Sequence, residues 1–105
     1  MHGPYLLRPL QVDISVPTKV GGVYCLARAG RQVVYVGRAE HDLRDRIKSH
    51  WPDYQMFWYE PALTARDAFM NHCYAYHKHA ANGLAQEDHP SAPTNMDARC
   101  PVCGK

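Results

Sequence analysis

An α+β domain is the fold class this sequence predicts: a small, mainly antiparallel sheet of three strands with helices packed against it. Three observations carry that expectation. Residues 20–37 hold two runs rich in β-branched and aromatic residues around a turn at Ala29-Gly30, the pattern of a β-hairpin. A third run, Tyr54-Gln55-Met56-Phe57-Trp58-Tyr59, has strand composition. Two stretches with helical spacing, opened by Asp42 and Thr64, lie before and after that third run and carry side chains suited to capping a helix. The order strand, strand, helix, strand, helix places helices against a small antiparallel sheet.

Each element follows from local chemistry. Residues 1–19 read as an extended lead-in broken by Pro4, Pro9 and Pro17, with a short alternation over residues 11–16. An edge strand suits it, since proline cannot donate to a ladder. The core domain spans residues 20–83. After the hairpin, Asp42 caps a helix whose Leu43, Ile47 and Trp51 point inward, and Pro52 stops it. The third strand ends before Pro61. Thr64 and Asp67 form a capping box for a second helix running to about Ala81, where Asn82-Gly83 supply a stop. Residues 84–105 form a tail in which Pro90, Pro93 and Pro101 forbid a long helix.

With 105 residues, one domain with a thin core is expected. Twelve basic against 10 acidic residues give a net charge of +2, too weak to argue for nucleic acid alone. No apolar run suits a signal peptide or a membrane span, so a cytoplasmic protein is expected. In a reducing compartment the four cysteines are thiols or metal ligands rather than disulfides.

The hairpin and the helix after it carry the most specific pattern. Gly22-Val23-Tyr24 and Tyr35-Val36-Gly37 stand at hairpin spacing, followed by Leu43-x-x-Arg46-Ile47-x-x-His50. Over residues 20–83 this resembles the GIY-YIG nuclease superfamily. The tail, with His89-Pro90 and Cys100-Pro101-x-Cys103, resembles a small bacterial or phage subgroup of it. The resemblance implies a DNA endonuclease that hydrolyses phosphodiesters with a divalent cation, Mg or Mn. It also implies roles. Tyr24 would handle the attacking water, while Tyr35 and Arg46 would hold the scissile phosphate. His50 matches a histidine of restriction-enzyme members, and Asn82 an asparagine beyond the second helix. The sequence departs from the pattern at one position: the metal-binding glutamate expected on the second helix is His72.

The residues themselves allow this chemistry. A guanidinium such as Arg46 matches two phosphate oxygens in a fixed fork. Arg46 and His50 are four apart and share a helix face. Tyrosine, with a pKa near 10, is a poor base unless a cation or a proton acceptor such as His50 assists it. Ordinary packing is the alternative for each: strand aromatics for Tyr24 and Tyr35, a solvated face for Arg46, a helix-dipole partner for His50. The joint spacing favours the site. Arg38, Arg44 and Lys48 are the expected nucleic-acid contacts, which position a strand without reading its sequence. His72 reads either as a substituted ligand, better suited to Mn, Ni or Zn than to Mg, or as a hydrogen-bonded histidine in a protein that no longer cuts. A non-cleaving binding module for nucleic acid or protein is therefore the second functional reading.

A second constellation lies outside that pattern. Cys73 and His77 are four apart on one helix face, and Cys100-x-x-Cys103 makes a tight thiolate knuckle. Together they form a Cys3His set suited to structural zinc. His89 is the rival for the fourth position and His79 a weaker one. The motive is physical, because a tail with so little apolar content cannot fold back by burial alone. The weaker alternative is a redox or metal-buffering role for the cysteine pair. Cys25, inside the hairpin, reads as a buried core thiol.

Overall fold

The structure is a computed structural model and describes residues 1–81, 83–84 and 88–104. Its sheet has four antiparallel strands: β1 (His2–Leu6), β2 (Gly21–Ala27), β3 (Val33–Ala39) and β4 (Met56–Ala62), in the order β1-β4-β2-β3. The expected three strands become four because the lead-in contributes β1 at the edge beside β4. Among the described residues, three helices accompany the sheet: α1 (Pro9–Ser15), α2 (Leu43–Lys48) and α3 (Ala65–Ala80).

The α+β class is as expected, and three local expectations need correction. Residues 11–16 are not extended. Pro9 stands at the first turn of α1, where a missing N–H costs nothing. Val12 and Val16 are buried while Ile14 is exposed, so the apolar spacing that matters is four rather than two. The strand β4 does not end before Pro61. Pro61 pairs with Gly22 inside it. Beyond Tyr59, the partner of His2, β4 has a neighbour on one side only, and such an edge accepts proline. Trp51 does not point inward but is 49 % exposed, because α2 ends at Lys48 and the following turn carries the chain outward.

Both helix caps form as the sequence implied. Asp42 accepts from the Asp45 amide at 3.1 Å and Thr64 from the Asp67 amide at 3.0 Å. Alternation along β2 divides the core. Tyr24 and Leu26 pack with Phe57, Tyr59 and the α1–α2 residues Val12, Leu43 and Ile47. Val23 and Cys25 face the other way, toward Val36 and Ala75 of α3. A small cluster of Phe69, Cys73 and Cys100 joins α3 to the tail. A bulge near the hairpin turn, where Ala27 faces Val33 but Leu26 faces Tyr35, puts both Val34 and Tyr35 against the Tyr24 side. Among the described residues, no helix is long and apolar enough to cross a membrane.

Candidate functional site

The hairpin register builds the first site. Tyr24 lies directly opposite Gly37, and its phenol ring covers that glycine. A methyl group at position 37 would collide with the ring at Cζ and lie 2.5 Å from the hydroxyl oxygen. Glycine is therefore required by the tyrosine rather than by backbone conformation. Tyr35 stacks beside Tyr24 with ring centroids 6.1 Å apart.

The helix α2 and the turn after it bring His50 back to the hairpin. Its Nε2 is 2.8 Å from the Tyr24 hydroxyl, and its ring is 4.8 Å from that of Tyr35. Tyr54 closes the aromatic group from the far side, with His50 and Tyr35 both within ring contact. Burial, then the electrostatic effect of the neighbouring Tyr35, drive the Tyr24 pKa far above the normal phenol value, and Arg46 offsets only part of this. Burial, then the nearby Arg46 cation, hold His50 below its ordinary value. At neutral pH the pair is a phenol beside a neutral imidazole, and in the tautomer that leaves Nε2 unprotonated the phenol donates to it.

Tyr24 and Tyr35 open onto a cleft of about 670 Å³ that they line together with Arg38, Arg46 and His72. The tyrosines and Arg46 thus share one hollow. Arg38 sits deep in it, its side chain only 12 % exposed. Its guanidinium donates to the Ser91 carbonyl at 2.7 Å, lies 3.4 Å from Glu40 Oε1, and packs over the Phe69 ring at 5.4 Å. Its Nη1 faces His72 Nδ1 at 3.5 Å. Burial and that guanidinium push His72 down to about 4, against the opposing effect of its hydrogen bond to the Val36 backbone. His72 is neutral, and its Nδ1 lone pair points at a cation.

That geometry bears on the catalytic metal the resemblance implied. A hard divalent ion takes oxygen ligands, and at this position α3 presents an imidazole nitrogen facing a fixed positive charge. Glu40, just beyond β3, is already paired with Arg38, and Asp42 is committed to the α2 cap; Asp45 and Asp88 are the other carboxylates that line the cleft. His72 itself does not fit as a ligand for a catalytic Mg or Mn ion.

Arg44 and Lys48 point elsewhere. Arg44 Nε donates to the Val16 carbonyl at 2.8 Å, and Lys48 Nζ pairs with Asp13 at 2.9 Å. Both tie α2 to α1 rather than lining the cleft. Asn82 lies outside the described residues. Cys25 is buried at 1 % exposure, as expected of a core thiol.

The second site is a cluster of His77, His89, Cys100 and Cys103 whose ligand atoms all lie within 4.8 Å of one another. His89 Nε2 is 3.2 Å from His77 Nε2 and 3.3 Å from Cys103 Sγ. A tetrahedral zinc with bonds of about 2.0–2.3 Å spaces its ligands by roughly 3.3–3.8 Å, so the donor set suits such an ion. His89 Nδ1 lies 2.8 Å from the Pro90 carbonyl. Donation there leaves Nε2 with its lone pair toward the cluster, the usual outer support of a metal-bound histidine. Both histidines that competed for the fourth position are present, and Cys73 gives way to His89. Cys73 is fully buried among Phe69 and Cys100. Burial and the adjacent Cys100 push its thiol up to about 12. Cys100 moves the other way: burial opposes ionisation, but the Cys103 and Val102 amides of the knuckle, with hydrogen bonds from His89 and Cys73, together pull the pKa well below the thiol range. His79 lies in a separate hollow with Lys78 and Cys25.

Sequence reasoning missed Tyr54, and it missed that His89 and Pro90 also line the tyrosine cleft. Tyr54 stood out only as the first aromatic of the third strand run, two residues after Pro52; for the His89 segment there was no signal. No family model matches this chain, and no curated protein or solved structure matches it.

Proposed function

We propose that this chain is a GIY-YIG-type nucleic-acid enzyme that binds the DNA backbone in the Tyr24–Arg46 cleft and hydrolyses a phosphodiester there. The observation that carries the reading is the 2.8 Å contact between His50 and the hydroxyl of Tyr24, a tyrosine that lines the same cleft as Arg46. Phosphate transfer to water needs a proton acceptor at the attacking oxygen and positive charge on the phosphate. Tyr24 cannot ionise on its own, so its hydroxyl relays a proton: it takes one from water as it gives one to His50. The water oxygen bonds to phosphorus, the bond to the leaving sugar oxygen breaks, and that oxygen is protonated from solvent. Arg46 and Tyr35 hold the non-bridging oxygens. Arg38, the second guanidinium of the cleft, adds positive charge on the opposite wall.

The tail cluster is proposed to hold structural zinc through His77, His89, Cys100 and Cys103, in a compartment reducing enough to keep thiols free.

A plasmid-nicking assay with zinc-loaded protein tests the catalytic reading. Tyr24→Phe and Arg46→Ala should each abolish nicking while leaving the far-UV spectrum unchanged. Cleavage by Arg46→Ala at the wild-type rate refutes the assignment.

The His72–Arg38 contact favours a second reading, a module that binds DNA or a protein without cutting. His72→Glu in the presence of Mg or Mn separates the two. A gain of nicking identifies a cleavage site weakened by loss of its carboxylate. An inert variant, together with an inert wild type that still binds DNA, identifies the binding module.

A further inference from the structure

The metal cluster and the cleft are one construction. The segment that supplies the ligand His89 continues directly into Pro90, which walls the cleft, and Ser91, whose carbonyl holds the Arg38 guanidinium at 2.7 Å. Arg38 also lies over Phe69, which packs with the ligand Cys100. Pro90 is buried and the His89 ring meets that of Tyr76 at 5.4 Å, but Ser91 is exposed and the tail offers few large apolar groups to bury. A bond from a metal to His89 adds a restraint directly beside Ser91.

We propose that zinc in the His77–His89–Cys100–Cys103 cluster fixes the His89–Ser91 wall and through it the Arg38 guanidinium, so that the cleft is complete for phosphate only when the tail holds metal. The metal then acts as an assembly switch for the cleft. Loss of zinc frees residues 88–91 and the Ser91 carbonyl leaves Arg38, so the guanidinium keeps its 3.4 Å contact with Glu40 but loses the partner that holds it in register with a bound phosphate. The phosphate part of this inference rests on the cleft reading above; the coupling of metal to Arg38 does not.

The experiment uses the full chain loaded with zinc and then treated with a chelator, and it has two arms. The first follows the Arg38 side-chain Nε–H signal by NMR, assigned by its disappearance in Arg38→Ala, with amide exchange across the sheet recorded alongside. Chelation should turn that signal from ordered to mobile and expose the amides of residues 88–91, while β1 and β4 stay protected. The second arm measures affinity for a short fluorescein-labelled DNA duplex. Chelation should weaken it by about tenfold, the scale of one charge-assisted phosphate contact. Arg38→Ala should lose a similar factor with zinc bound and lose little more on chelation, because both changes remove the same contact.

An Arg38 signal that stays ordered without metal overturns the proposal. So does a chelated protein whose whole sheet loses protection, since the metal would then be a general staple. A full chelation penalty in Arg38→Ala overturns it as well. If the zinc-loaded chain binds no duplex, the phosphate reading fails, and the Arg38 signal alone decides the coupling. Cys103→Ser, which removes an exposed ligand, should reproduce the chelated state without a chelator.

Discussion

Two side chains with unusual proton affinities, Tyr24 and His50, meet at 2.8 Å beside the cleft. Tyr24 depends on the absence of a side chain opposite it. In Gly37→Ala the new methyl collides with the phenol ring, and the ring, buried at 1 % exposure, can yield only by leaving its packed position. The variant should lose about 1–3 kcal/mol by overpacking. It should also break the Tyr24–His50 contact, visible as a shifted His50 ring signal. An unchanged melting temperature with an unchanged His50 signal contradicts the packing argument. His50 depends on burial first and on Arg46 second, both lowering its pKa below the usual value of about 6.5. The unfolded chain therefore binds this proton more readily than the folded one. His50 contributes stability in full above about pH 6.5, and that contribution is lost as pH falls through its folded value. The acid limb of any nicking activity lies in the same range, since protonated His50 cannot accept from Tyr24. Arg46→Ala removes the second cause and leaves burial. An NMR titration should find the His50 pKa raised toward, but not to, its ordinary value. No rise in that titration removes Arg46 from the electrostatics of the pair.

Helices here begin where a side chain can accept the first free amides, and this was readable in advance. Asp42 and Thr64 were identified from their place before apolar periodicity, and both cap as expected. Thr64→Ala should cost about 1 kcal/mol, which for a domain of this size lowers the melting temperature by roughly 4–8 °C. Thr64→Ser should recover most of it, and equal losses in both would assign the effect to something other than the cap. The helix α1 was not legible because Val12, Ile14 and Val16 satisfy a period of two as well as one of four. Only tertiary contact decides between them: α1 packs against α2, tied by the Lys48–Asp13 pair and the Arg44 bond to Val16. Those same bonds explain why Arg44 and Lys48, which looked like phosphate contacts by charge, are spent inside the fold. Charge is visible in a sequence, but its partner 28 or 35 residues away is not. The tyrosines, Arg46 and His50 were legible because hairpin spacing and one helical turn fix their relations locally. The Arg38–His72 and Arg38–Ser91 contacts span 34 and 53 residues, and no local pattern encodes them.

At the scale of the molecule, the thinness of the protein makes the tail matter. Its extents are 36 × 31 × 18 Å, so each face of the sheet carries one shallow layer. The tail adds Cys100 to the α3 cluster but few large apolar groups. A metal that binds only the folded tail stabilises it by mass action, about 4 kcal/mol when free zinc is a thousandfold above its dissociation constant. Melting temperature should therefore climb with free zinc concentration and fall with chelator. The identity of the ligands decides which variants abolish that dependence. Spacing alone favoured Cys73, four residues before His77 on one helix face. In the folded chain Cys73 is fully buried and holds its proton beside Cys100, while His89 stands 3.2 Å from His77. His89→Ala should erase the zinc dependence. Cys73→Ala should lower the melting temperature by a similar amount with and without zinc, because it removes buried volume rather than a ligand. The opposite pattern, with zinc dependence lost in Cys73→Ala and kept in His89→Ala, would return the fourth position to the helix and detach the metal from the cleft wall.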